Sequence, residues 1–326
     1  MKYDGILFGN GLTINLLQQL KAFIAPEKYY LLEIDSFINK WMEDKLSPRE
    51  DRFVYRAFYG NDSNKQRFYQ TIKNQFKNYY SIYNADVEYV MGKLLFVESP
   101  YKDVLQCYPI LYNIWYIILY DYLVHKNCSG YINHFYETVK TYAGTPQYIW
   151  TTNFDLFGES IRPEHLHGKF LTEIKQYADI ILGFTNEGKN YYYKYIWGHN
   201  GIGKMNNIDE IRKCTNYKSY FNFEFFFSNK FKMDKILIYG LGFRKSGFVE
   251  ELTKEYPEYE TAKFGAIIDE HILVRISGMQ NLGMLNSVDV AYYNEREKEH
   301  IENAMKEAKV INYNMIGCQE FEFSIM

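Results

Sequence analysis

Gly5-Ile6-Leu7-Phe8-Gly9-Asn10-Gly11-Leu12-Thr13-Ile14 is the stretch on which the fold turns. Its apolar run meets Gly9-Asn10-Gly11, and Ile14, Leu17, Leu20 and Ile24 then recur at helical spacing. The pattern predicts a strand, a tight turn and a helix. Such a turn brings backbone N–H groups and the positive end of a helix dipole to the end of a strand, where a phosphate is well received. Glycine lets the main chain approach a pyrophosphate, but Ile14 stands where the fingerprint G-x-G-x-x-G needs its third glycine. Taken alone, the motif reads equally well as a plain structural turn.

Outward from this unit, residues 47–144 turn to charged and aromatic helical stretches, such as 65–83 and 131–142, with few strand signals. Strand-like runs return at 147–152, 178–183, 235–240, 272–277 and 288–293, separated by helical or loop segments. That alternation predicts an α/β fold with a mostly parallel sheet covered by helices. A last helix opens at Asn294, with Glu297 three residues on as in a capping box, and runs through Ile301, Met305 and Ala308. The expected organisation is a three-layer core from residues 1–46 and 145–326, with 47–144 as a helical insertion.

Composition narrows the function. Of 326 residues 47% are apolar, enough for a sizeable core, and the net charge of −3 lacks the basic excess that neutralises phosphates, which disfavours direct nucleic-acid binding. The thirty-three tyrosines are scattered, so most are expected in the core. Cys107, Cys128, Cys214 and Cys318 stand singly, which fits reduced thiols in the cytoplasm and predicts no metal site. The opening Met1-Lys2-Tyr3-Asp4-Gly5 has no apolar run of a signal peptide. The most apolar stretch, 104–120, is interrupted by Gln106, Pro109 and Asn113 and reads as a buried helix, so no membrane span is expected.

Three further motifs carry polar groups at strand ends. In Tyr148-Ile149-Trp150-Thr151-Thr152-Asn153-Phe154-Asp155, Asn153 and Asp155 are two apart, so on extended chain they point the same way and can converge on one ligand. Asp155 as a simple cap is the plainer alternative. Glu164-His165-Leu166-His167-Gly168-Lys169 ends in a His-Gly pair, where the glycine leaves room for a bulky ligand, though a turn with a solvated histidine reads as well. Ile236-Leu237-Ile238-Tyr239-Gly240-Leu241-Gly242-Phe243 runs into a glycine turn that either packs against a ribose or ends a strand.

Two rivals are weaker. Gly198-His199-Asn200-Gly201-Ile202-Gly203-Lys204-Met205 fits GxxxxGK but ends in Met205, without the hydroxyl that holds Mg²⁺, and reads better as a glycine loop beside the site. Glu33 and Asp35 sit at dehydrogenase spacing after the first turn but read as surface acids.

The order GNG, TTNFD, HG and a late strand-glycine turn resembles the SIR2-like NAD-hydrolysing family of bacterial anti-phage effectors, including AbiH-like relatives. The likeness covers about residues 1–30 and 146–310. It implies a Rossmann-like core with NAD+ as substrate and no metal. It also implies that Gly9, Asn10, Gly11 and Thr13 cradle the phosphates, and that Asn153 orients the ribose and attacking water. Asp155 would then lie near the nicotinamide end, and Thr152, where sirtuins usually have glutamine, would be a cofactor-binding residue. His167 would be the catalytic histidine, His165 its non-catalytic neighbour, and Gly240 and Gly242 the loop against the adenosine half. Neither the four-cysteine zinc module nor the GIPDFR-like segment of sirtuin deacylases is present, which argues against deacylation. The expected activity is an NAD+ glycohydrolase, held off until a sensor protein or homo-oligomerisation activates it in abortive infection. The alternatives are a non-catalytic sensor of NAD+ or an ADP-ribose derivative and, third, an NAD-dependent oxidoreductase.

Overall fold

A computed structural model of the chain describes residues 2–24, 40, 120–153, 155–167, 177–186, 189–196, 232–243, 267 and 269–325. The opening unit forms as its pattern predicts: strand β1 is Gly5–Phe8, buried throughout, and helix α1 is Asn10–Ile24. Continuous burial, rather than alternation, is what a strand covered on both faces requires. In chain order there follow α2 (Ser129–Tyr142), β2 (Tyr148–Thr151), β3 (Glu164–His165), β4 (Tyr177–Asn186), β5 (Lys189–Ile196) and β6 (Met233–Tyr239). The chain continues with α3 (Glu270–Asn281), β7 (Leu285–Tyr292), α4 (Glu295–Glu307) and β8 (Tyr313–Gly317).

Among the described residues, six strands form one all-parallel sheet in the order β3-β2-β1-β6-β7-β8. From the centre, β1 to β3 step one way and β6 to β8 the other, so the winding reverses between β1 and β6. In open parallel sheets the crevice beyond the carboxyl ends at such a reversal is where ligands collect. Register fixes its walls, because Phe8 lies opposite both Thr151 and Tyr239.

Helices cover both faces. Leu7, Trp150, Ile236, Ile238, Val288 and Val290 form one cluster with Ile272, Leu273, Ile276 and Met279 of α3 and Ile301, Ala304 and Met305 of α4. The alternate residues point the other way: Phe8 meets Tyr136 of α2 at 5.7 Å between ring centroids, and the Tyr239 hydroxyl accepts from Asn15 of α1. The tail after β8 closes this face, with Phe321 and Phe323 against Tyr239 and Tyr142 and with Gln19 bridging Phe323 O and Ile325 N.

Several sequence expectations change. Residues 272–277 are helix, not strand: the run Ile-Leu-Val-Arg-Ile is β-like in composition, but burial at Ile272, Leu273, Ile276 and Met279 with exposed Val274 has the helical period. The 178–183 run does form a strand, but it pairs antiparallel with β5 in a separate two-stranded sheet. Strands β3, β5 and β8 fall outside the expected strand-like runs. The expected start of the last helix holds: Asn294 Oδ1 accepts from Glu297 N at 2.9 Å, and Glu297 Oε2 accepts from Tyr293 N, one residue earlier than in a standard capping box.

The helical stretch 65–83, the 104–119 part of the apolar stretch, Glu33, Asp35, His199, Lys204, Cys107 and Cys214 all lie outside the described residues. Among the described residues no helix is long and apolar enough to cross a membrane.

Candidate functional site

The two glycine turns at the crevice are packed against each other. Gly11 N donates to Gly240 O at 3.0 Å, and Gly9 N donates to Tyr239 O at 2.9 Å. A Cβ on Gly11 would lie 2.6 Å from Gly240 Cα, and one on Gly9 would lie 2.8 Å from Gly240 O. Gly240 itself takes φ +75°, and a side chain there would stand 2.6 Å from Leu12 N. These glycines are thus required by backbone contact between β1–α1 and the end of β6, whatever else binds there. Asn10 is exposed at the start of α1, whose first turn carries no acid. Gly242 lies beside α4, where an added Cβ would be 3.5 Å from Glu297 Oε1.

Thr13, on α1, is the hub of a buried polar cluster. Its hydroxyl donates to Asp155 Oδ2 at 2.9 Å, accepts from Asn153 Nδ2 at 2.9 Å and lies 3.2 Å from Tyr136 OH. A threonine hydroxyl has one hydrogen, so with that given to Asp155 the Tyr136 hydroxyl is the donor. Asn153 and Asp155 do converge, as their spacing predicts, and they converge on Thr13. Both lie just past the end of β2, where Thr152 N still continues the ladder to Phe8 O at 3.1 Å.

Asp155 also accepts from Phe157 N at 3.0 Å, which caps the short 3-10 turn Phe157–Ile161. The capping alternative therefore holds together with the converging one. Burial raises the proton affinity of the Asp155 carboxyl above its ordinary range, against the hydrogen bonds from Thr13 and Phe157 and the charge of His165, which pull it down. Asn153 is 3% exposed, and its Oδ1 has no hydrogen-bond partner among the described residues.

The two histidines differ. His165 ends β3, with Nδ1 2.8 Å from Asn153 O and Nε2 2.8 Å from Glu159 Oε1. His167 is completely buried, and its Nε2 lies 3.6 Å from Oδ1 of Asp269, the residue at the N-cap of α3. Burial drives the imidazole pKa down to about 3, so the ring is neutral at pH 7. Asp269 holds φ +61°, a left-handed conformation that aspartate tolerates better than most residues.

Tyr136, Glu159 and Asp269 are members of this constellation that the motifs did not identify. Tyr136 falls at the end of the expected insertion, and its only sequence signal was a place on the buried face of a helix. Neither family models nor curated proteins nor solved structures gave a match to the chain.

Proposed function

We propose that the chain is an NAD+ glycohydrolase of the SIR2-like kind on a Rossmann-like core, cleaving NAD+ to nicotinamide and ADP-ribose at the carboxyl edge between β1 and β6. One observation carries the reading: Thr13 of the first motif meets Asn153 and Asp155 of the second at the carboxyl ends of β1 and β2, and among the described residues Asn153 Oδ1 is left a buried acceptor without a donor. Such a group costs roughly 1–3 kcal/mol, which a ligand hydroxyl or a water would offset.

The chemistry follows from what nicotinamide departure requires. The C–N electron pair leaves with nicotinamide and neutralises its pyridinium, so the ribose passes through an oxocarbenium-like state that water captures at C1′. Asn153 Oδ1 can accept from a ribose hydroxyl or from that water, and as an amide it does not titrate. The proton released by the water goes to neutral His167, whose imidazolium would be balanced by Asp269 at 3.6 Å. Asp155, held by Thr13 and Phe157 N, sets the loop that carries Asn153. The pyrophosphate belongs at the start of α1, whose first turn carries no acid, whereas α3 and α4 carry Glu270, Glu295 and Glu297 there.

An enzyme that destroys NAD+ has to be silent in a healthy cell. The proposal therefore includes a cytoplasmic anti-phage effector switched on by oligomerisation or by a sensor partner. The test is incubation with NAD+, alone and with candidate partners, and identification of products. Nicotinamide and ADP-ribose in equal amounts support the proposal; NAD+ recovered intact under every condition defeats it. A second reading, a sensor that binds NAD+ or an ADP-ribose derivative without turnover, is favoured by the complete burial and weak basicity of His167. Saturable binding without product would select it.

A further inference from the structure

Asn153 is held at three points, the first being its main-chain N–H, which donates to Thr151 Oγ1 at 3.0 Å. Its Nδ2 donates to Thr13 Oγ1 at 2.9 Å, and its main-chain oxygen lies 2.8 Å from His165 Nδ1. A carbonyl oxygen can only accept, so Nδ1 carries the hydrogen of this bond. The bond lands at a particular place in the sheet. The ladder between β2 and β3 ends where Leu166 N donates to Thr151 O at 2.8 Å. Carbonyls two residues apart on extended chain point the same way, so Asn153 O is the next acceptor along that edge. The imidazole of His165 reaches that acceptor from the end of β3. Glu159, from the 3-10 turn, lies on the far side of the ring and sets its plane.

We infer that His165 is a positioning residue for the proposed reaction, holding the Asn153 amide in place through its main-chain carbonyl, with Glu159 orienting the ring. This rests on the NAD-hydrolase reading for its catalytic consequence but not for its geometry. Without the imidazole the Asn153 carbonyl loses this hold while the main-chain N–H and Nδ2 keep theirs, so the peptide can tilt about the remaining bonds and carry Asn153 Oδ1 with it. A misplacement of about 1 Å in a positioning group costs on the order of 10²-fold in rate.

Two amides separate the two halves of the ring. In His165→Asn the side-chain nitrogen falls near the place of Nδ1 and keeps the donor to Asn153 O. In His165→Gln it falls near Nε2 and keeps only the contact with Glu159. His165→Gln is expected to lose about 10²-fold in kcat for nicotinamide release with KM nearly unchanged, and His165→Asn to recover most of that loss. In ¹³C-labelled protein the Asn153 carbonyl resonance should move in His165→Gln and stay near the parent value in His165→Asn. Glu159→Gln should move it the same way by less, which decides the matter if His165→Gln does not fold. Equal kcat in the two His165 variants, or an Asn153 carbonyl resonance unmoved by His165→Gln, overturns the inference. If the parent protein releases no nicotinamide at all, the function reading fails while the carbonyl resonance still decides whether His165 positions Asn153.

Discussion

Two buried polar clusters lie toward opposite ends of the same sheet, and they are built on different principles. Toward the amino ends, Asp289 of β7 takes both the Tyr3 hydroxyl and the Lys235 ammonium on Oδ2, each at 2.7 Å. Burial, and then Asp289, raise the proton affinity of the Tyr3 phenol beyond its ordinary range, so it stays a neutral donor. At the carboxyl edge Asp155 is served by neutral dipoles, the Thr13 hydroxyl and Phe157 N–H. Among the described residues each cluster leaves one acceptor without a partner, Asp289 Oδ1 and Asn153 Oδ1. The difference is that Asp289 already holds two donors, one of them cationic, whereas Oδ1 is the only acceptor of the Asn153 side chain. The first cluster ties the segment before β1 to β6 and β7. Among the described residues the second keeps an acceptor open, which is what the proposed binding role uses.

The largest effect should come from Gly240→Ala at the carboxyl edge. The left-handed conformation and the 2.6 Å approach to Leu12 N together should cost about 2–5 kcal/mol in chemical denaturation. A variant as stable as the parent would mean that the two glycine turns are not pressed together.

Next is pH. The His167 pKa, near 6.5 unfolded, is down to about 3 folded, so between those values the unfolded chain binds the extra proton. Stability should therefore fall as pH drops from about 6.5 towards 3, by a few kcal/mol at the order-of-magnitude level. His167→Gln should flatten that slope, and an identical acid profile in the two proteins would show that His167 is not buried as described. The raised Asp155 works in the opposite sense, its contribution waning as pH rises past the unfolded carboxylate pKa.

Lys235→Met removes the cation from the amino-end cluster. Since Lys235 is partly exposed, a loss of about 1–3 kcal/mol is expected, below the range for breaking a fully buried pair. Nicotinamide release should be unaffected, and a fall in rate without a fall in stability would erase the division between the two clusters. The smallest effect belongs to neither cluster: Asn294→Ala deletes the N-cap of α4 and should cost about 1 kcal/mol by thermal melting.

What was legible in the sequence follows the range of the signal. The Gly5–Phe8 run with its glycine turn, and the 148–155 run ending in Asn153 and Asp155, declare themselves because strand, turn and polar side chains are consecutive. The 272–277 run misled because branched apolar residues serve a strand and a buried helix face alike, and only burial separates the two periods. Strand β8 escaped because Tyr-Asn-Met-Ile-Gly, at the sheet edge, is only half-buried along most of its length. Tyr136 reaches Thr13 across 123 positions, and Asp269 reaches His167 from a different crossover, so no local pattern links either pair. The His165 contact was illegible for a related reason: its partner is a main-chain carbonyl, which leaves no trace in residue identity.

The central claim is that the crevice at the carboxyl ends of β1, β2 and β6 turns over NAD+ through Asn153. The direct measurement is the rate of nicotinamide release by Asn153→Ala beside the parent protein under activating conditions, with circular dichroism confirming that both are folded. A folded variant slowed by about 10²-fold or more is the expected result. A folded Asn153→Ala that releases nicotinamide at the parent rate would contradict the claim.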